Sequence, residues 1–438
     1  MTLAPPPADA DASLRRLLVL AVPALLIGVV SALVLWALDQ VSAVLEGFLW
    51  DTAPDALGVD STGWWTLLVL TCTGLAVGLA LRYLPGHGGP DSATTELVAP
   101  PLPVGTLPGL ALVTVLALAG GVSLGPENPI IAINSAIMVA VFARLMPKVP
   151  PALSAMLAAS GTIGALFGTP VAAALVFTGI VAALKTGGSL WDRLFLPVAS
   201  AGAGAITMHL LGAPPLSFDL PPYGAPEAID LATGALFACA AVVIGLAALA
   251  AFPWIYRTLH ALRHPVLIAT VGGVLLGLLG MLGGPITMFK GLAQIGELLE
   301  NVDDYDATQL AVIAGIKIIA LLVAASALFR GGRVFPATFI GVALGLVGHA
   351  LMPSVPISLA VACGVLGILL VVVRDGWIAL FIAVAIPGDV TLLPLLCVIV
   401  LPAWLLVSRA PEFRILPPVG APAPAATGTP AAGAAGHD

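Results

Sequence analysis

Long apolar stretches recur along the chain, and short polar or glycine- and proline-rich breaks separate them. Four of the stretches, at residues 17–38, 65–81, 231–252 and 307–329, approach the roughly 20 residues that an α-helix needs to span a hydrocarbon core. The repetition of such stretches predicts that the chain crosses a membrane many times as an all-α polytopic protein.

Breaks occur inside the apolar regions as well as between them. Glycine and proline account for 48 and 38 of the 438 residues, and many of them interrupt hydrophobic sequence. Irregular backbone at membrane depth is tolerated only where it is buried in protein or lines a watery cavity. The pattern therefore predicts tilted, broken helices and favours a channel or transporter over a simple membrane anchor.

The composition supports the same class and excludes others. Hydrophobic residues make up 60% of the chain and charged residues 9%, whereas about 25% of a soluble domain is charged. The net charge of −7 and the scattered basic residues do not favour a nucleic-acid partner. The chain contains no Walker-type phosphate loop and no G-x-S-x-G elbow, and its four cysteines lack metal-ligand spacing. We therefore expect neither an enzyme nor a metal site or cofactor.

A polar, proline-rich stretch divides the hydrophobic sequence into two blocks. We assign residues 15–212 to a first membrane half, 213–230 to a linker and 231–408 to a second membrane half. The flanking segments 1–14 and 409–438 are expected to be tails, the second one disordered because it is rich in Pro, Ala and Gly. Arginines near both ends of the hydrophobic region predict that both termini lie in the cytoplasm.

Three of the glycine-rich breaks lead through a proline into an apolar helix, at residues 86–91, 125–129 and 331–336. The second and third lie at similar distances from the start of their halves, which indicates inverted repeats around a site at the membrane midplane. The first N–H groups of a helix lack intrahelical partners and lie at the positive end of its dipole, so they attract anions. Three such helix starts that converge would bind an anion loosely enough for it to pass.

These breaks resemble the motifs of the CLC chloride channel and transporter family. GHGGP at 86–90, GPENP at 125–129 and GRVFP at 332–336 are similar to the family's G-S-G-I-P, G-R/K-E-G-P and G-x-F-x-P, in the same order. Residues 161–177 also resemble the family segment that follows its glutamate helix. The resemblance covers residues 15–408 and implies a CLC-like inverted repeat, a homodimer with one anion path in each subunit, and a bacterial inner membrane.

Glu127 stands where the family has its gating glutamate. A carboxylate within apolar sequence is costly and indicates a functional site by default. The resemblance implies that this side chain occupies the anion path when charged and leaves it when protonated. The structural alternative is a carboxylate that caps a helix starting at Pro129. The anion-binding candidates lie in the same three motifs and are His87, Gly88, Gly125, Pro126, Asn128, Arg333, Val334 and Phe335.

Two of the motifs depart from the family pattern. His87 replaces the family's anion-coordinating serine; its ring could donate an N–H to an anion and gain charge at lower pH, or it could anchor the loop at the membrane interface. Val334 takes the place of the family's phenylalanine, and Phe335 follows one position later. Arg333 and Arg330 could raise the positive potential of the path, or they could pair with acidic side chains or lipid headgroups.

Two residues that the resemblance would lead us to expect are missing. Proton-coupled members usually carry a second glutamate at the place of Gly179 or Ile180, and no acid occurs between Pro170 and Lys185. The family's tyrosine in the last membrane helix is also absent. We therefore expect channel-like or uncoupled permeation of chloride. Proton-coupled exchange of chloride, fluoride, nitrate or bicarbonate, and a non-conducting anion sensor in the lipid bilayer, stay open as alternatives.

Overall fold

The computed structural model describes residues 9–95, 97–183, 189–214 and 216–415. Within these ranges the regular structure is helical. In chain order the helices are α1 (Asp9–Gly47), α2 (Ala53–Leu57), α3 (Trp64–Tyr83), α4 (Leu107–Ala119), α5 (Glu127–Leu145), α6 (Pro151–Phe167), α7 (Pro170–Ala183), α8 (Leu190–Leu210), α9 (Ala228–His260), α10 (Pro265–Gly283), α11 (Leu292–Glu300), α12 (Ala307–Ser326), α13 (Val334–Leu351), α14 (Ile357–Val372), α15 (Gly376–Ala385) and α16 (Leu393–Val407). Helix α1 begins inside the segment expected to be an N-terminal tail. Residues 1–8 and the tail from residue 416 lie outside the described residues.

Eight helical segments of the described chain are long and apolar enough to cross a membrane. They are Leu18–Leu57, Trp64–Tyr83, Glu127–Leu145, Ala228–His260, Pro265–Gly283, Ala307–Ser326, Val334–Leu351 and Val390–Val407. Further apolar helices have only 10–17 residues, so they reach at most about 26 Å at the usual rise per residue, short of a hydrocarbon core of roughly 30 Å. The predicted all-α polytopic architecture with broken helices is confirmed.

The second half repeats the helix order of the first. The long α1 corresponds to α9, the 19-residue α5 corresponds to the 18-residue α13, and the shorter α6 and α14 follow them with 17 and 16 residues. The turns after α5 and α13 share the pattern Met-Pro-x-Val-Pro, at 146–150 and 352–356. Just before the same two helices, Gly125 and Gly332 form an antiparallel bridge. Helices that start from an antiparallel pair run away from it in opposite directions, as an inverted repeat requires.

Helices α3 and α10 each end in a loop that reaches the site described below, and their backbones are in direct contact. A Cβ atom built on Gly74 would lie 2.3 Å from the carbonyl oxygen of Ala269, and one built on Gly273 would lie 2.3 Å from that of Leu70. Small residues at such contacts are typical of helix pairs in membranes. The close pairing fixes the positions from which the two loops start.

The proline-rich linker is packed against the second half. The backbone N–H of Phe218 donates to the carbonyl oxygen of Ile386 at 2.9 Å, and that of Tyr223 donates to a carboxylate oxygen of Asp389 at 2.8 Å. The phenol of Tyr223 also donates to Asp230 at 2.5 Å. The linker therefore lies on the turn between α15 and α16, and its last residues already belong to α9.

The chain beyond α16 differs from the expected disordered tail as far as it is described. Phe413 is 3% exposed, and its ring stacks on that of Phe252 with 4.6 Å between the centroids. The backbone N–H of Ile415 donates to the carbonyl oxygen of Ala93 at 2.8 Å. An assignment from the mean composition of residues 409–438 overlooks the bulky apolar side chains near their beginning, and these side chains pack.

Candidate functional site

Glu127 is the first residue of α5, and its side chain is fully buried, at 0% exposure. One carboxylate oxygen, Oε1, accepts the backbone N–H of Phe335 at 2.9 Å. The other oxygen, Oε2, has no hydrogen-bond partner among the described residues. The helix thus begins at Glu127 itself rather than at Pro129, and the carboxylate lies at the N-terminus of α13, the matching helix of the other repeat.

The loops before α5 and α13 are joined beside this carboxylate. The N–H of Gly125 donates to the carbonyl oxygen of Gly332 at 2.9 Å, and the N–H of Gly332 donates to that of Gly125 at 2.6 Å. A Cβ atom built on Gly125 would lie 2.2 Å from Oε2 of Glu127, and one built on Gly332 would lie 2.0 Å from it. The two glycines therefore leave the space that the carboxylate occupies.

Ser92 fastens the loop after α3 to the loop before α13. Its buried hydroxyl donates to the carbonyl oxygen of Phe329 at 2.7 Å and accepts the N–H of Gly331 at 2.9 Å. This brings the first of the three glycine-rich breaks to the third. Ser92 was not predicted from the sequence, where its only signal is a small polar residue two positions after the proline of the break.

His87 and Gly88 lie in the same loop. The imidazole of His87 is exposed, its Nδ1 lies 3.0 Å from the carbonyl oxygen of Leu81, and it lines neither of the two cavities described below. Gly88 is buried, and its carbonyl oxygen accepts the Nε–H of Arg330 at 3.1 Å. The guanidinium of Arg330 also lies 3.5 Å from the carboxylate of Asp91. This contact matches the alternative in which Arg330 pairs with an acidic side chain.

Arg333, the residue before α13, binds backbone carbonyls. Its guanidinium donates to the carbonyl oxygens of Phe413 and Thr95, the second at 3.1 Å, and lies 5.1 Å from the ring centroid of Phe413. Val334 follows and lines the first of the two cavities, and Phe335 supplies the N–H to the buried carboxylate. Arg333 therefore links the start of α13 to the chain beyond α16.

Two cavities flank the site. The first cavity, of about 290 Å³, is lined by the beginnings of α5 and α13, including Asn128, and its charged lining consists of Arg333, Arg374, Arg414, Asp375 and Glu412. The second cavity, of about 300 Å³, is lined by the C-terminal half of α1, the ends of α4 and α8 and the loop before α11; its charged lining consists of Asp39, Glu46 and Lys290.

The two cavities lie at opposite ends of α8. Ile180, near the end of α7, lines the first cavity. Val181 follows Ile180 in the chain, and its carbonyl oxygen accepts a hydrogen bond of 3.3 Å from Arg193 at the beginning of α8. Met208 and Leu211, at the other end of α8, line the second cavity. Because α8 has 21 residues, it is about 31 Å long. The two cavities are thus separated by about the length of this helix.

Glu127 lines neither cavity. Among the charged groups that act on it electrostatically are Lys290 of the second cavity and Arg333 of the first. Both cations are therefore close enough to attract the buried carboxylate. In the described structure, both cavities end before they reach it.

Lys317 is a second buried charged residue, and it was not predicted from the sequence. It lies in α12 with 0% exposure, and its ammonium donates to the carbonyl oxygens of Thr287, Met288 and Phe289 at 3.1, 2.6 and 2.8 Å. The ammonium also lies 5.1 Å from the ring centroid of Phe339. Its signal was a lone lysine within an apolar helix, the kind of residue that indicates a functional or structural constraint in a membrane.

A family model described as "Voltage gated chloride channel" matches residues 72–408 of this chain. The chain belongs to the voltage-gated chloride channel, or CLC, family. The resemblance drawn from the three motifs is confirmed, and the chain is a membrane-spanning member of a family that transports anions.

Two relatives are similar over almost the whole chain. YfeO of Escherichia coli O9:H4 (strain HS) is 46% identical over 405 residues, which cover 92% of this chain and 96% of the relative. YfeO of Escherichia fergusonii is 45% identical with the same coverage. The name of these relatives assigns them only provisionally to ion transport.

Three solved structures share the fold at low sequence identity. A CLC-type fluoride/proton antiporter superposes with a TM-score of 0.73 at 18% identity, covering 90% of this chain and 96% of its own. A slow cyanobacterial Cl⁻/H⁺ antiporter gives 0.75 at 16%, covering 90% and 95%, and a eukaryotic CLC transporter gives 0.70 at 18%, covering 91% and 73%. The predicted CLC-like fold of two inverted halves is confirmed.

Proposed function

We propose that this protein lets chloride or another small anion cross the membrane through a path in each subunit that Glu127 closes. The observation that carries the proposal is the buried carboxylate at the start of α13, where it accepts the N–H of Phe335 at 2.9 Å. A helix N-terminus is a ready anion site, and here a side-chain anion occupies it. A permeating anion would bind at the same place once the carboxylate has left.

The proposed path runs from the second cavity, past the joined glycine loops, to the first cavity. Because the N–H groups of Gly125 and Gly332 are used in their mutual bridge and Pro126 has no N–H, these residues shape the path rather than bind the anion. The proposed ligands are the residues at the beginnings of the two helices, Asn128, Val334 and Phe335. Lys290 and Arg333 would supply positive charge on either side of the gate.

The predicted anion-binding role of His87 and Gly88 stays a prediction. The imidazole of His87 has the loop contact to Leu81 that its alternative role describes, and the carbonyl oxygen of Gly88 is bonded to Arg330. Both contacts fix the position of the loop after α3. A direct role in selectivity would require the ring of His87 to turn from Leu81 toward the path.

We propose that the permeation is uncoupled from protons. At the place where proton-coupled family members carry their second glutamate, this chain has Gly179 or Ile180, and Ile180 is 43% exposed and lines the first cavity. A proton relay therefore lacks its usual acid on this side of Glu127. The second candidate is proton-coupled exchange, because two of the structural neighbours are named as chloride/proton and fluoride/proton antiporters.

Glu127→Gln is expected to raise chloride efflux from loaded proteoliposomes about tenfold. The glutamine keeps the shape of the gate but loses a charge-assisted hydrogen bond, which weakens the closed state by about 1.5 kcal/mol or more. Chloride release is followed with a chloride electrode and proton movement with an external pH probe. Glu300→Gln, which removes an exposed carboxylate at the end of α11, is the matched control and should behave like the wild type.

The outcomes separate the candidates. Chloride release without proton movement supports uncoupled permeation, and a rate that changes in Glu127→Gln but not in Glu300→Gln supports Glu127 as the gate. Protons that move in fixed ratio against chloride would make the protein an antiporter. Anion binding without flux of chloride, fluoride, nitrate or bicarbonate would contradict transport and favour the sensor.

The cellular setting is part of the proposal. The family and the Escherichia relatives support a bacterial inner membrane, and the arginines flanking the hydrophobic region support cytoplasmic termini. Homodimerisation is proposed from the family resemblance, with one path in each subunit.

A further inference from the structure

One face of α1 carries three polar side chains that line the second cavity. Asp39, Ser42 and Glu46 follow one another at steps of three and four residues, and residues at these steps lie on the same face of a helix. Lys290, in the loop before α11, lines the same cavity, and its ammonium lies 3.7 Å from the carboxylate of Asp39. Because an ammonium has three donors, this contact leaves Lys290 able to donate to an anion in the cavity.

The hydroxyl of Ser42 indicates that the cavity holds a ligand. Ser42 is 4% exposed, and its Oγ has no hydrogen-bond partner among the described residues. Hydroxyls in other helices of the chain, on Thr114, Thr162 and Thr207, donate to the carbonyl oxygen four positions earlier. A buried hydroxyl without a partner is costly. Since Ser42 lines the cavity, a molecule inside it is within reach as the partner.

The second cavity has room for an anion of several atoms. Its volume of about 300 Å³ is roughly ten times the share of liquid volume that one water molecule takes and lies at the lower end of the range for ligand pockets. Gln40 and Gln294 also line it, and a side-chain amide both donates and accepts hydrogen bonds. The cavity therefore offers an oxyanion hydrogen-bonding groups as well as a positive charge.

The carboxylates of the cavity discriminate between classes of anion. Glu46 is half-buried, and Lys290 acts on it electrostatically. A carboxylate only accepts hydrogen bonds, so Glu46 repels chloride and nitrate, which have no donor. An anion that carries an O–H group donates to the same carboxylate in a charge-assisted hydrogen bond. Sites built to hydrogen-bond a hydroxyl discriminate strongly against analogues that lack it.

We propose that the second cavity selects an oxyanion with its own O–H donor, of which bicarbonate is the representative. Lys290 and Ser42 donate to the oxygens of the ion, and Glu46 accepts its O–H. The inference rests on the proposed function, because this cavity is one end of the proposed path, and it names the substrate class of that path. Lys290 also acts electrostatically on Glu127, so an ion held at Lys290 lies within electrostatic range of the gate.

Bicarbonate and nitrate provide the test, because both are planar, singly charged and similar in size, and only bicarbonate has an O–H group. Proteoliposomes loaded with chloride are diluted into either anion at mildly alkaline pH. A chloride electrode follows the release, which requires entry of the external anion to balance the charge. Carbon dioxide that crosses the lipid is neutral and does not balance it. The wild type is expected to release chloride about tenfold faster into bicarbonate, as one hydrogen bond to a charged group predicts.

Glu46→Met keeps the length of the side chain and removes the acceptor, so the bicarbonate-to-nitrate ratio of release rates is expected to fall about tenfold. Glu46→Gln keeps a neutral acceptor, and its ratio is expected to lie between those of the wild type and Glu46→Met. It also serves as the test if Glu46→Met does not yield folded protein. Glu300→Met, the same change at an exposed carboxylate at the end of α11, is the matched control and should keep the wild-type ratio.

A wild type that releases chloride no faster into bicarbonate than into nitrate overturns the inference. Folded Glu46 variants with the wild-type ratio overturn it as well, even if both release rates rise, because the loss of a repulsive charge alone would produce that result. In these cases the gate still stands if Glu127→Gln raises chloride efflux. Wild-type protein that passes no anion would overturn the gate and the selecting cavity together.

Discussion

Replacing Gly332 with alanine is expected to lower anion flux roughly 5- to 150-fold. The added Cβ atom would lie 2.0 Å from Oε2 of Glu127 and 2.6 Å from its Cδ. Adding a carbon to a packed site costs about 1–3 kcal/mol, which corresponds to a roughly 5- to 150-fold loss in occupancy. Because we propose that the anion binds where the carboxylate lies, the loss should affect the anion as well, and chloride efflux measures it.

The double variant Gly332→Ala/Glu127→Ala tests whether the anion and the carboxylate share one place. If they do, flux stays low after the carboxylate has been removed, because the methyl group still fills the site. Flux equal to that of Glu127→Ala alone would show that Gly332 serves only the carboxylate. Gly315→Ala in α12, where a Cβ would have no neighbour within 4 Å, is the control. Gly332 does not have positive φ, so strain of the alanine backbone does not explain a loss.

Features that depend on residues close together in the chain were predictable from the sequence. The apolar stretches indicated membrane helices, and the glycine-proline breaks indicated helix starts at matching places in two halves. Glu127 was identifiable because a single carboxylate in apolar sequence is costly whatever surrounds it. The bridge between Gly125 and Gly332 is the structural counterpart of the repeat that those breaks predicted.

Features that depend on residues far apart were not predictable. Ser92 bonds to residues 237 and 239 positions later, and Arg333 bonds to a carbonyl oxygen 80 positions later. From the sequence, Arg333 could have raised the positive potential of the path or paired with an acidic side chain or a lipid headgroup. The structure shows backbone carbonyl oxygens as its hydrogen-bond partners. Phe413 was hidden for a different reason, because the low-complexity residues after it dominate the composition of the tail.

Lys317→Met is expected to lower the unfolding temperature of the protein in detergent substantially. The methionine has a similar length but cannot donate, so the carbonyl oxygens of Met288 and Phe289 lose their bonds of 2.6 and 2.8 Å to the ammonium. Each buried acceptor left without a donor costs about 1–3 kcal/mol. The carbonyl oxygen of Thr287 keeps a contact of 3.4 Å with Ser123, so its loss is smaller.

The same substitution should also lower chloride efflux, because Lys317 holds the loop that carries Lys290. Phe289 has a φ of +56°, which is unfavourable for a bulky residue. Its bonds to Lys317 and to Gly121, the latter at 3.0 Å, and the contact of its ring with that of Trp50 hold it there. Without the ammonium, the loop should relax and move Lys290 away from the gate. Lys148→Met, at an exposed lysine, controls for the lost charge. An unfolding temperature and an efflux rate equal to those of this control would mean that water satisfies the carbonyls and that the loop does not depend on Lys317.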